Sequence, residues 1–155
     1  MAGVQTWLFR SAAHEVHITG AGVDVKAAEG SFSDYASIEF PVSNFYRAKG
    51  LVRFYALEVS DERVSVYMYP LMFDPEDPYS AFSHPESYAK ELTDTYGSFK
   101  TIGWVHDTSA LNSELVPEAV FVTDMEEIFQ KRLEMTLGEL KKSDAKLFIS
   151  VFTAT

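Results

Sequence analysis

The run Leu51-Val52-Arg53-Phe54-Tyr55-Ala56-Leu57-Glu58-Val59, followed through Ser60-Asp61-Glu62-Arg63 by Val64-Ser65-Val66-Tyr67-Met68-Tyr69, decides the architecture. It reads as a β-hairpin. With Asp61-Glu62 at the tip, Val59 faces Val64, Leu57 faces Val66 and Tyr55 faces Met68. The opposite face then carries Val52, Phe54, Ala56, Tyr67 and Tyr69. A hairpin wet on one side alternates apolar and polar residues. This one is apolar or aromatic on both sides, so each face needs a cover: helices on one, further strands or a second copy of the chain on the other.

N-terminal to it, Val4 to Arg10 is a candidate strand. Glu15 to Thr19 and Val23 to Ala27 flank Gly20-Ala21-Gly22, a compact hairpin turn. Ala36 to Val42 alternates, and Pro41 marks a strand end or a sheet edge because it has no N–H to donate. C-terminal to it, three prolines and three acids make the connection from Pro70 to Tyr79 a loop.

Ser83-His84-Pro85-Glu86 has the form of a capping box. It opens a helix with Tyr88, Leu92 and Tyr96 at spacing four, closed by Gly97. Phe99 to His106 and Glu118 to Val122 read as strands, the second following a polar loop. Thr123-Asp124-Met125-Glu126 is a second capping box. It starts a helix to about Lys142 with the stripe Met125, Ile128, Phe129, Leu133, Leu137, Leu140. Lys146 to Thr153 closes the chain as a strand.

The expected class is α+β: an antiparallel sheet with two helices on one face, in one domain spanning residues 1–155. From residue 63 the order is β-α-β-β-α-β, the ferredoxin-like order, preceded by extra N-terminal strands. This likeness concerns element order and no motif.

At 155 residues, with 46% hydrophobic and 23% charged residues, the composition is that of a globular domain with a proper core. No cysteine is present, which removes disulfides, thiolate metal sites and cysteine nucleophiles. No secretory or membrane-spanning pattern is visible, and a cytoplasmic location is expected. The net charge of -10 is concentrated. Residues 74–127 hold twelve acids against the two bases Lys90 and Lys100, and the flanks together are neutral. Such a field repels nucleic acid and anionic membranes and attracts basic protein surfaces.

No motif fixes a reaction, so no catalytic residue is assigned and no cofactor is expected. His14-Glu15-Val16-His17 offers at most two ligands on one strand face, too few for a catalytic zinc. Asp74-Pro75-Glu76-Asp77 lacks the glycine and closing glutamate of a calcium loop; no metal site is expected. His106 follows Trp104 at a strand end, but adjacent strand residues diverge, which makes Asp107 a poor orienter for it.

Two functional readings follow. In the first, a non-enzymatic binding module docks a basic protein partner through its acidic segment, with Asp74, Glu76, Asp77 and Glu86 as contact residues. In the second, an aromatic-lined pocket between the sheet and a dimer mate binds a small molecule or its substrate, using Arg53, Tyr55, Tyr67, Tyr69, Trp104 and His106. A homodimer is expected in both. Imitation of nucleic-acid charge by the acids is a third use of the same residues.

Overall fold

The computed structural model describes residues 7–41, 43, 47–103 and 106–152. The chain is α+β and forms two compact units, Met1–Ala81 and Phe82–Thr155. Every strand among the described residues belongs to the first unit and every helix to the second.

The first unit holds β1 (Leu8–Ala12), β2 (Glu15–Gly20), β3 (Val23–Ala28), β4 (Ala36–Pro41), β5 (Arg47–Val52), β6 (Phe54–Val59), β7 (Val64–Met68) and β8 (Met72–Phe73). They make three antiparallel sheets, in the orders β1-β2-β3, β4-β5-β8 and β6-β7. Two-residue turns join the first three strands. Ala13 and His14 have φ of 48° and 63°, and Ala21 and Gly22 have 52° and 89°. Positive φ at both central residues matches the twist of the strands they connect. Gly50 on β5 is needed for a close approach, since a Cβ there would stand 2.9 Å from the Met72 carbonyl oxygen of β8.

The core gathers Val16 and Ile18 of β2, Val23 and Ala27 of β3, Ile38 of β4, Val52 of β5 and Phe54, Ala56 and Val59 of β6. The alternation along each strand produces this: Asp24, Lys26 and Ala28 point away from the buried Val23 and Ala27. Strands therefore cover the Phe54 face of the central hairpin, and no helix takes part in this core cluster.

The hairpin departs from its expected form in two ways. The run 51–59 is two strands, because at Arg53 the chain leaves the β4-β5-β8 sheet and begins the β6-β7 pair. Val59 does face Val64, but a β-bulge between Ala56 and Glu58 then shifts the register by one. Val66 consequently faces Ala56 instead of Leu57, and Tyr55 faces Tyr67 instead of Met68. One extra residue in one strand moves every later pair, which a fixed alternation does not foresee.

The second unit holds α1 (Tyr88–Tyr96), α2 (Thr108–Asn112) and α3 (Glu118–Lys142). Gly97, with φ of 80°, ends α1 as expected, its N–H donating to the Thr93 carbonyl. The start differs in position: Ser87 occupies the N-cap, while the Ser83 hydroxyl accepts from the Ala89 N–H at 3.3 Å, as a capping serine should, and itself donates to the carbonyls of Pro85 and Glu86.

The ferredoxin-like order is not formed, because its three last strands are absent among the described residues. Glu118–Val122 is the start of α3: Pro117 holds extended backbone at the N-cap, and Glu118 lies in the first turn, where the helix dipole favours an acid. The apolar run Ala119-Val120-Phe121-Val122 suits either a short strand or a buried helical turn. Residues 99–103 and 106 are not in a strand, and Trp104 and Val105 lie outside the described residues. Residues 146–152 form no ladder; they run along α3, where Ser150 meets Thr136 at 2.8 Å and the Phe152 ring lies 5.5 Å from Phe129. The polar loop before residue 118 contains α2, capped by the Asp107 carboxylate, which accepts from the Ala110 N–H at 3.0 Å.

The stripe expected to bury α3 is also revised. Val120, Asp124 and Ile128 are its buried residues, while Phe129, Leu137 and Leu140 face solvent.

Candidate functional site

Four of the six residues expected to line a ligand site come together on the outer face of β6-β7. Residues 30–33 run antiparallel to β6: Gly30 and Ser33 donate to the carbonyls of Ala56 and Phe54, and the Ala56 N–H donates to Ser31. This brings Phe32 opposite Tyr55, with ring centroids 4.8 Å apart and edge-on. Phe32 also lies 5.5 Å from Tyr69, which meets Tyr67 edge-on at 5.1 Å. Edge-to-face geometry sets the positive rim of one ring on the negative face of the next.

Arg53 stands over the Phe32 ring at 4.1 Å and the Tyr35 ring at 5.1 Å, and its Nε donates to the Ser33 carbonyl at 3.0 Å. The Ser33 hydroxyl in turn accepts from the Phe54 N–H at 3.0 Å. The guanidinium thus holds the cluster to β6 as a cation–π partner. Burial pushes the Tyr55 phenol pKa up. Tyr69 is buried, while Tyr55 and Tyr67 keep part of their surface open. Phe32, Ser33 and Tyr35 belong to this cluster but were missing from the expected set; only the long-range pairing of residues 30–33 with β6 brings them there.

Of the other two expected residues, Trp104 lies outside the described ones. His106 belongs to the second unit, half-buried and edge-on to Phe121 at 6.3 Å.

The acidic segment divides into committed and open carboxylates. Asp74 was expected on a contact surface but is buried. Its Oδ2 accepts from the Ser37 hydroxyl at 2.7 Å and its Oδ1 from the Glu76 N–H at 3.0 Å, so it ties the loop to β4. Asp77 pairs with Lys49 at 3.1 Å, and this hydrogen bond raises the Lys49 pKa. Glu76 and Glu86 are exposed. Asp94 pairs with Lys90 at 2.8 Å, and Asp124 binds Lys100 at 2.6 Å with both side chains withdrawn from water. Both cations of segment 74–127 are therefore engaged by carboxylates of the same segment. Glu76, Glu86, Glu114, Glu118 and Glu126 face solvent.

The histidine pair carries no metal constellation. His14 sits on a turn and bonds Glu29, while His17 bonds Asp24. Among the described residues, no three acid or imidazole side chains are grouped to hold an ion. No described helix is long and apolar enough to cross a membrane.

A second cluster had no counterpart in the sequence reading. Glu139 accepts from the Tyr88 and Tyr96 hydroxyls, each at 2.9 Å, and from Lys142 at 2.8 Å. The Lys142 bond is the leading cause that lowers the Glu139 pKa, with the two phenols adding to it against the effect of burial. Burial first, and then the bond to Glu139, raises the Tyr88 pKa. Gly138 makes room for the Tyr96 hydroxyl, which a Cβ at that position would overlap. The cluster ties α1 to α3 within the second unit.

Compared with known protein families, curated proteins and solved structures, the chain matches none.

Proposed function

We propose that the protein is a binding module that docks a basic protein partner through the open carboxylates of segment 74–127. The observation that carries this reading is the fate of the two cations in that segment. With Lys90 and Lys100 both held by carboxylates, the segment presents solvent with uncompensated negative charge at Glu76, Glu86 and Glu114. Two of these acidic stretches also expose a large apolar side chain. Tyr79, 59% exposed, stacks on Phe73 beyond the loop of Glu76, and Leu115, 53% exposed, adjoins Glu114. Charge together with an exposed ring or aliphatic anchor is the make-up of a protein interface, where the anchor supplies affinity and the charge supplies rate and partner choice. A cysteine-free chain of this kind suits a reducing cytoplasmic setting.

The test is capture from source lysate at low and high salt by the wild type and by the Glu76→Gln/Glu86→Gln/Glu114→Gln variant. A basic protein retained by the wild type at low salt, and lost both at high salt and on neutralisation, supports the reading. A partner insensitive to both, or no partner at all, refutes it.

A further inference from the structure

Tyr79 is stacked on Phe73, with ring centroids 4.9 Å apart and ring planes 19° from parallel. Phe73 therefore covers one face of the Tyr79 ring. Tyr79 is nonetheless 59% exposed, so the opposite face and the rim are open to solvent.

The chain around this ring is tied down at both ends. Phe73 belongs to β8 and pairs with Gly50 of β5. Pro78, next to Tyr79, forms a parallel bridge with Lys49, the neighbouring residue of β5. Between them Asp74 accepts from the Ser37 hydroxyl and the Glu76 N–H, and Asp77 pairs with Lys49 at 3.1 Å. Residues 74–77 thus leave the edge of β5 and return to it as a closed loop, with the stacked rings at its neck.

The loop is negative, with Asp74, Glu76 and Asp77 set against Lys49. The hydrogen bond and charge of Asp77 raise the Lys49 pKa, and the charges of Glu39 and Asp74 add to this. Asp74 and Asp77 are taken up by partners within the chain, while Glu76 is exposed. Three peptide units separate Glu76 from Tyr79. That is at most about 11 Å between Cα atoms, close enough for one group to lie on the ring and meet the carboxylate.

An open ring face beside an open carboxylate selects its occupant by chemistry. The ring quadrupole attracts a cation laid over it. A guanidinium is planar and weakly hydrated, so it can stack on the ring while its N–H groups fork to a carboxylate at the rim. An ammonium is compact and strongly hydrated, and gains less from the stack. An apolar group would cover the ring but strip water from Glu76 without pairing it. The chain already uses the first arrangement internally, where Arg53 lies 4.1 Å over Phe32.

We propose that Tyr79 and Glu76 form the seat of an arginine side chain supplied by the protein partner. The inference rests on the basic-partner reading and adds to it the residue that docks: arginine in preference to lysine, against the loop of residues 73–79.

The experiment titrates the full chain at low salt with two blocked peptides, identical except that one carries four arginines and the other four lysines. Affinity and the NMR signals of the Tyr79 ring are the readouts. The arginine peptide is expected to bind about two- to fivefold more tightly and to shift the ring signals. Tyr79→Phe keeps that preference. Tyr79→Leu, at an exposed position, brings the arginine peptide down to the affinity of the lysine peptide, and Glu76→Gln weakens the arginine peptide more than the lysine one. Equal, salt-sensitive binding of the two peptides overturns the arginine seat and leaves the basic-partner reading standing. So does an arginine preference that survives Tyr79→Leu. Binding of neither peptide overturns both.

Discussion

Lys100 donates to Asp124 at 2.6 Å, and the two side chains are only 5% and 2% exposed. One acid and one base that add nothing to the net charge are thereby placed inside the second unit. A buried pair of this kind gains little over apolar residues of the same size, but breaking it leaves a charge with its desolvation uncompensated. Lys100→Met is expected to destabilise the protein by about 3–5 kcal/mol, and Lys100→Met/Asp124→Leu by much less. Denaturant melts of both variants check this. Equal losses in the two would place the pair in solvent.

Gly138 leaves the space that the Tyr96 hydroxyl occupies. Gly138→Ala gains helix propensity yet forces the phenol aside, for a net loss of about 1–2 kcal/mol. In a Tyr96→Phe background the obstructing hydroxyl is gone, and the same substitution is expected to cost less than it does in the wild type. Thermal denaturation of the four proteins in this cycle measures the coupling; additive effects would exclude the contact.

Glu139 makes the second unit sensitive to acid. Its folded pKa is depressed, chiefly by Lys142. The stability it contributes is therefore present above the unfolded carboxylate value and is lost as pH falls through the lower folded one. Glu139→Gln is expected to lose about 1–2 kcal/mol at neutral pH, and to approach wild type as pH falls below the ordinary carboxylate range. A difference that stays constant across that range would contradict the assignment.

Asp74 separates a structural carboxylate from one proposed to dock a partner. Bound to Ser37 and to the Glu76 N–H, it is expected to cost about 1–3 kcal/mol when changed to Ala, because the loop loses its attachment to β4. Neutralising exposed Glu76 to Gln is expected to leave stability within about 0.5 kcal/mol. Urea melts distinguish the two, and a silent Asp74→Ala would return that residue to the surface.

The α+β class and the local turns were legible because they depend on nearby residues. Gly20-Ala21-Gly22, the Val59–Val64 closure and the Gly97 stop all stand as read. What failed depends on tertiary context. The bulge before Glu58 has no local mark, and its consequence is a one-residue shift in the facing of Tyr55. Ala119 to Val122 has strand-like composition, yet Pro117 and the buried spacing Val120-Asp124-Ile128 make it helix. At the candidate site, Arg53, Tyr55, Tyr67 and Tyr69 were found because they share one hairpin. Phe32 and Tyr35 reach them only through long-range pairing. Asp74 carries the same charge as Glu76 in sequence, and only its partner Ser37, 37 residues away, turns it inward.

The basic-partner account is tested most directly by the association rate of the captured partner, followed by stopped flow against ionic strength. For the wild type the rate should fall steeply as salt rises, and the Glu76→Gln/Glu86→Gln/Glu114→Gln variant should start lower and fall less. A rate that is flat with salt and unchanged by that triple substitution would contradict it.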